Sequence, residues 1–253
     1  MILKQLFLIS YTRKQRDSQE DNRKRAAYAA VSPEWKYYFE AKSFLHLTLH
    51  QSDLPDFGKI VQRDNRQIFV NFICLRLQLP EYDCSKCRER ESPEEVRANQ
   101  SLFTNAVWQL FSILSTWMEQ RKIGLELSVH SPSDALHYCQ ELKGRIRDNV
   151  TVVPRYRKST TKRKSTHGWR RGRQVHFPPE NAKLRVFGHP NGLGFDLQTP
   201  LAQKLRALPK VNAVNWLLIR RQFYRHFSIP NALGPMIKSL TCLETFQYEP
   251  WQG

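Results

Sequence analysis

The sequence predicts an α/β fold, an irregular array of parallel strands and helices entered through a short helical N-terminus. Three observations predict it. Short segments alternate leucine with polar residues, and Ser-Pro dipeptides stand between them at residues 32, 92 and 131. The stretch 26–52, AAYAAVSPEWKYYFEAKSFLHLTLHQS, also runs a helix start straight into an alternating strand. Alternation marks a strand because successive side chains point to opposite faces. Ser-Pro marks a helix start because serine accepts from the first free amides and proline has no amide to satisfy.

At 253 residues and 40% hydrophobic content the chain can bury a substantial core. MILKQLFLIS is apolar, but Lys4 interrupts it and no A-x-A-like site follows. No 18-residue apolar run exists either, so secretion and membrane insertion are excluded as readings. Five cysteines at 74, 84, 87, 139 and 242 suit reduced thiols, and an intracellular protein, cytoplasmic or nuclear, is expected. The net charge of +17 is concentrated: residues 155–173, RYRKSTTKRKSTHGWRRGR, hold nine Lys or Arg and no acid.

In chain order, residues 1–25 read as a flexible basic arm without apolar periodicity. Ser32-Pro33-Glu34 opens a helix to about Lys42, and Trp35 is expected in the core. Residues 46–50 (HLTLH) and 72–79 (FICLRLQL) are strands, with Leu54, Phe57, Ile60 and Val61 at helical spacing between them. Ser92-Pro93-Glu94-Glu95 carries a capping box and opens the longest helix, whose stripe runs from Phe103 to Met118 and which Gly124 is expected to end. Residues 125–129 (LELSV) form a strand, and Ser131 starts a third helix to about Lys143. Residues 144–182 are expected as a basic, disordered insertion. Order returns at Leu184, a short helix is expected from Pro200 to Leu208, and a strand from Val214 to Arg220. Residues 229–240 are helical with Pro235 inside, and Leu243–Glu249 closes as a strand. A first array part at 44–143 and a second at 183–253 follow, with 26–43 as the helical entry.

Four places fit the leucine-rich-repeat frame L-x-x-L-x-L: Phe44 to Leu49, Phe72 to Leu77, Val211 to Trp216 and Leu243 to Tyr248. Their middle residues, Leu47 and Leu75 and then Val214 and Phe246, are spaced 28 and 32 apart. The fold class is therefore an irregular leucine-rich-repeat-like array. Residues 26–251, through AAYAAVSPEWKYYFEAKSFLHLTLHQSDL, the block from LRLQLPEYDCSKCRERESPEEV to FSILSTW, LELSVHSPSDALHY and LETFQYEPW, resemble filamentous-fungal F-box-like proteins with irregular leucine-rich repeats. Val31-Ser32-Pro33-Glu34-Trp35 is similar to the V-C-x-x-W of the last F-box helix, with Ser for Cys. The Leu-Pro-x-Glu-Ile helix that begins an F-box is missing before Ala26, and the array stops after a strand, as in a fragment or shortened relative. The resemblance implies a partial F-box-like helical N-terminus and a non-enzymatic adaptor. Such an adaptor recruits an unknown substrate to a cullin-type ubiquitin ligase through a Skp-type linker.

Candidate partner-binding residues are Val31, Trp35, Tyr37 and Tyr38, because aromatics anchor interfaces; the rival reading packs such a stripe on the neighbouring strand, with Trp35 in the core. The competing reading is a nucleic-acid-binding segment. In it Arg155, Arg157, Lys158, Lys162, Arg163, Lys164, Arg170, Arg171 and Arg173 would grip phosphates, with Tyr156, His167 and Trp169 interleaved for stacking. Lys162 to Lys164 and Arg170-Arg171 also fit a nuclear-import signal. Cys84-Ser85-Lys86-Cys87 has the spacing of half a zinc site, but no second C-x-x-C exists and His50, Cys74 and His130 would have to converge. It is expected as a loop with two free thiols, and neither metal nor cofactor is expected. The eight histidines form no H-E-x-x-H, and no G-x-S-x-G or Walker loop occurs. Glu94, Glu95 and Asp134 are accounted for by helix starts. No catalytic residue is expected.

Overall fold

The leucine-alternating segments lie side by side in chain order. The computed structural model describes residues 28, 30–118, 121–138, 167–170, 173–188, 192–196, 207–220 and 225–249. Strands β1 (His46–His50), β2 (Phe72–Gln78), β3 (Ile123–His130), β6 (Val214–Ile219) and β7 (Thr245–Tyr248) form one five-stranded sheet in the order β1-β2-β3-β6-β7. Every neighbouring pair in it is parallel. Strands β4 (Trp169–Arg170) and β5 (Arg173–Gln174) make a separate antiparallel hairpin.

Parallel neighbours need a crossover that returns the chain to the same end of the sheet, so helices stand between the strands. Helix α1 (Pro33–Phe44) precedes β1, α2 (Leu54–Gln62) joins β1 to β2, and α3 (Pro93–Leu114) joins β2 to β3. Ser32 caps α1, its Oγ accepting from Trp35 N. Ser92 caps α3 reciprocally: Ser92 Oγ accepts from Glu95 N at 3.2 Å and Glu95 Oε2 accepts from Ser92 N at 2.9 Å. Helix α4 (Glu180–Phe187) follows the hairpin. A π-turn at Ile229–Leu233 then passes into α5 (Gly234–Ser239).

Leu49, Ile73, Leu75, Leu125 and Leu217 are fully buried on one sheet face, with Phe57 and Val61 of α2 and Phe103, Leu110 and Phe111 of α3 in the same core. Each such side chain contributes ~1.5–3 kcal/mol through burial. The opposite face is polar, yet Thr48, Cys74, Arg76, Glu126 and Ser128 on it are buried too. The centre of the sheet is therefore closed on both sides, and the strands do not offer an open surface there.

Several expectations are corrected. Gly124 does not end α3, which stops at Leu114; it lies inside β3, where a Cβ would come within 2.5 Å of Phe72 Cδ2. Past that stop Met118 is 64% exposed, outside the stripe it was expected to complete. The segment after Ser131 forms only a 3-10 turn at Asp134–Leu136, because Asp134 Oδ2 accepts from Ser131 N and tightens the chain. The hairpin and the first turn of α4 fall inside the stretch expected as irregular. The repeat frame is shifted: Leu47 pairs with Ile73 rather than Leu75, and Phe246 pairs with Leu217 rather than Val214. The first slip is two residues and preserves the face; the second, from Val214 to Leu217, is an odd number and reverses it. A separate register break lies between β3 and β6, where Ile123 pairs with Val214 while Gly124 pairs with Trp216. The arm 1–25, the helix expected at Pro200–Leu208 for all but its last two residues, and residues 139–143 lie outside the described residues.

Leu125 sits at the centre of β3, between Ile73 and Leu217. Leu125→Ala is expected to cost ~2–5 kcal/mol of unfolding free energy by urea titration, and a loss under ~1 kcal/mol would contradict a close-packed centre.

Candidate functional site

Three groups of side chains stand out from the packed frame. The first is the outer face of α1. Val31, Trp35, Tyr37 and Tyr38 are exposed by 68, 47, 60 and 51%. Trp35 was expected in the core; instead its ring packs on Tyr28 at 5.5 Å and on Phe39 at 5.9 Å, away from the strands. Tyr37 stands edge-on to Phe69, and Lys42 Nζ lies 4.4 Å over the Tyr38 ring. Polar and apolar positions are mixed along this helix, and only Glu40 and Phe44 are buried. Glu40 Oε1 receives Arg66 Nη2 at 2.8 Å and Nε at 3.1 Å, so a buried ion pair pins the aromatic helix to the segment after α2.

The second group is the polar face of the sheet. His50, Arg76 and Ser128 are register partners, as are Cys74 and Glu126. Arg220 Nε approaches Glu126 Oε1 at 3.4 Å without hydrogen-bonding geometry, and Glu126 Oε2 accepts no hydrogen bond. Burial pushes the Glu126 carboxyl up, against the pull of Arg220 and Arg76. Burial, then Arg76 and His50, hold His130 down at about 4. Burial, then Glu126, push the Cys74 thiol up to about 12.

The third group is built by loops leaving the carboxyl ends of β2 and β3, where parallel sheets commonly carry their sites. The loops are stitched together: Leu79 N donates to His130 O at 2.9 Å, Ser131 Oγ to Pro80 O at 2.9 Å and Tyr82 N to Ser133 Oγ at 3.0 Å. Asp83 Oδ1 accepts from Ser85 N at 2.8 Å and turns the chain, so Cys84 and Cys87 share one side of a knuckle. Opposite it stand His137, just past the 3-10 turn, and His167, at the foot of the β4–β5 hairpin. Cys84 Sγ is 3.0 Å from His167 Nε2 and 3.7 Å from His137 Nδ1; His137 Nδ1 is 3.4 Å from His167 Nε2. Cys87 Sγ is 3.7 Å from His167 Nδ1. Tyr82 stacks on His137 at 5.3 Å, and Tyr138 meets His167 edge-on at 5.4 Å. Burial, then the neighbouring Cys84, push the Cys87 thiol up. Burial and Arg88 push His167 down, which favours its neutral form.

Of the candidate residues named from sequence, Trp35, Tyr37 and Tyr38 are exposed on α1 and Val31 is exposed just before it, with no ring contact among the described residues joining the three aromatics to one another. For the basic segment, Arg155, Arg157, Lys158, Lys162, Arg163, Lys164 and Arg171 lie outside the described residues, while Arg170 and Arg173 pair across the hairpin. Cys84 and Cys87 were expected as free thiols, with His50, Cys74 and His130 as the partners that would have to converge. Those three lie on the sheet, while His137 and His167 are the ones that meet the thiols. The C-x-x-C spacing was the signal; the histidines carry none, since they are 30 residues apart and joined only by the fold. Among the described residues this is the one group of three or more His, Cys, Asp or Glu arranged to hold a metal ion.

The chain matches no protein-family model, no curated protein and no solved structure. Among the described residues no helix is long and apolar enough to cross a membrane.

Removing Glu40 strands a buried guanidinium. Glu40→Ala is expected to cost ~3–5 kcal/mol in urea unfolding, most of it recovered when Arg66→Met is added; equal losses for the single and double variants would contradict the pairing.

His130 has a folded pKa of about 4, below its ordinary 6.5. The stability gained from keeping it neutral is complete above pH 6.5 and is lost as pH falls toward 4. Asp134, raised to about 6 by burial, and Glu126 work in the opposite sense, since a raised acid favours the folded state at low pH. The readout is therefore a difference: between pH 6.5 and 4 the parent should lose on the order of 3 kcal/mol more than His130→Asn. Parallel profiles would contradict the buried neutral imidazole.

Proposed function

We propose that this chain is a non-enzymatic protein-interaction scaffold and, within that class, an F-box-like adaptor that recruits a substrate to a cullin-type ubiquitin ligase. The observation that supports this is the sheet order: five parallel strands adjacent in chain order, as an irregular leucine-rich-repeat-like array requires. Repeat arrays bind through surfaces assembled from successive units, and the unit at the start of this one carries the exposed aromatic helix.

Helix α1 is the element that takes the Skp-type linker. Val31 and Trp35 occupy the positions at which this sequence is similar to the last F-box helix, and both are exposed, as a docking helix needs. Tyr38, which meets Phe39 beside Trp35, extends the same surface, while Tyr37 packs on Phe69 round the helix. Large aromatics with few rotatable bonds make the strongest interface anchors. Because the middle of the polar sheet face is closed, the substrate would meet the array at its rims and at the exposed edge strand β7, where Phe246 is 40% exposed.

A pull-down and titration of the full chain with a Skp-type linker decides it. Capture is expected, and Trp35→Ala should weaken binding by roughly 30-fold, the equivalent of an anchor worth ~2 kcal/mol. No capture by the parent chain sinks the adaptor reading. A nucleic-acid mobility shift that weakens with salt and vanishes when the nine cations of 155–173 are neutralised would replace it with the nucleic-acid reading.

A further inference from the structure

We propose that Cys84, Cys87, His137 and His167 bind one Zn²⁺ ion in a closed tetrahedral site, which clasps the segment at residue 167 to the loops that leave β2 and β3. This inference is independent of the linker reading, and either can fail alone.

The distances carry it. Zinc bonds of ~2.3 Å to sulfur and ~2.0–2.1 Å to nitrogen, directed to the corners of a tetrahedron, set ligand-to-ligand edges of roughly 3.3–3.8 Å. With His167 ligating through Nε2, the His–His edge is 3.4 Å and the Cys84–His137 edge is 3.7 Å. The Cys84–His167 edge, 3.0 Å, is short of that range by about 0.3 Å, within the reach of a ring rotation. All four ligand atoms lie within 4.8 Å of one another. Four ligating groups from three separate segments facing one point is the arrangement a metal needs, and no apolar contact requires it.

The donor chemistry selects the ion. Two thiolates and two imidazoles are too soft for magnesium or calcium, and a tetrahedral S₂N₂ set is a zinc set. Binding replaces the two thiol protons, which pass to solvent, and leaves a site with no net charge: Zn²⁺ against two thiolates. Four protein ligands fill the tetrahedron and leave no position for a reacting water, so the role is structural.

The surroundings hold the ligands in place. The Asp83 turn sets the cysteine knuckle, Tyr82 stacks on one imidazole and Tyr138 abuts the other, and Arg88 Nε donates to Tyr138 Oη at 2.5 Å. Gly168 has φ +75°, and a Cβ there would strike the His176 carbonyl oxygen, so a glycine is required directly after the last ligand. Its carbonyl accepts from Val175 N and His176 N, which closes the hairpin behind His167. Among the described residues the local apolar cluster has Cys87, Tyr138, Ala182 and Val186 as its buried members, with Tyr82 and Phe187 packed against it. Small folded units of this kind are commonly completed by a metal.

The test uses the full chain purified without chelator. Elemental analysis is expected to find one zinc per chain. After stripping, reconstitution with Co²⁺ should give the intense visible absorption of a tetrahedral thiolate–imidazole site. His167→Ala should weaken zinc binding by roughly 100-fold or more in a competition titration, beyond what loss of a mere supporting contact costs. His167→Cys should retain stoichiometric zinc. Residue 167 lies outside the five-stranded sheet, so these variants keep the test decisive even if Cys84→Ser does not fold. Limited proteolysis near residue 167 should accelerate on stripping and slow again on zinc addition. The proposal is overturned if the parent takes up no zinc, if Cys84 and Cys87 are found as a disulfide under reducing purification, or if His167→Ala binds zinc as tightly as the parent.

Discussion

Parallel pairing in chain order is the constraint from which the other features follow. A parallel strand cannot be reached by a tight turn, so each step across the sheet spends a crossover, and each crossover here from β1 to β3 carries a helix whose apolar stripe covers the sheet. Strand β3 sits in the middle, hydrogen-bonded on both edges to β2 and β6 and buried from Ile123 to Val129. Its neighbours all run the same way, so every strand leaves the sheet at the same rim. The loops after β2 and β3 must then travel side by side, and the bonds from Leu79 to His130 and from Tyr82 to Ser133 are the direct result.

Charged pairs hold α1, α4 and the segment at Arg225 to the rest of the fold. Arg185 Nη2 meets Glu95 Oε2 at 3.0 Å and donates to the Arg90 carbonyl, while Nε donates to the Glu89 carbonyl, which docks α4 on the start of α3. The same Glu95 completes the cap of α3, and the hydrogen bond from Arg185 outweighs burial and holds its carboxyl down at about 2. Arg225 grips Glu91 with both terminal nitrogens, at 2.7 and 2.8 Å. Buried pairs of this kind add little net stability over apolar substitutes, because desolvation offsets attraction. They do discriminate geometry, since a guanidinium fork accepts its carboxylate in few orientations. One short loop, 89–95, thereby receives two distant segments.

Periodicity made most of the sheet legible. Leucine alternation located β1, β2 and β3, apolar runs without it located β6 and β7, and Ser-Pro located α1 and α3 to the residue at which they begin, because cap chemistry is local and depends on a few adjacent side chains. Register was not legible: β2 is apolar at Phe72, Ile73, Cys74, Leu75 and Leu77, so a slip of two residues leaves the same pattern, and only pairing selects one. Trp35 was misplaced because an aromatic on a helix is compatible with core or surface until the packing partner is known. The polar residues of the sheet's second face read as solvent-facing from alternation alone, and their burial depends on the rest of the chain rather than on the strands. The thiol–imidazole cluster was half legible. Cys84-x-x-Cys87 is a local signal, whereas His137 and His167 reach it only because β2 and β3 are neighbours and the hairpin folds back.

That last dependence explains why the cluster belongs to this architecture. The knuckle leaves β2, His137 leaves β3, and the adjacency of the two strands brings them to one rim before any ligand is considered. What the sheet cannot do is hold residue 167, which is linked to β3 only through a long chain segment and is flanked by a basic run with little apolar content. A hairpin of two short strands is marginal by itself. Four directed ligand bonds act where burial is weakest, and they fix the orientation of the hairpin as well as its position.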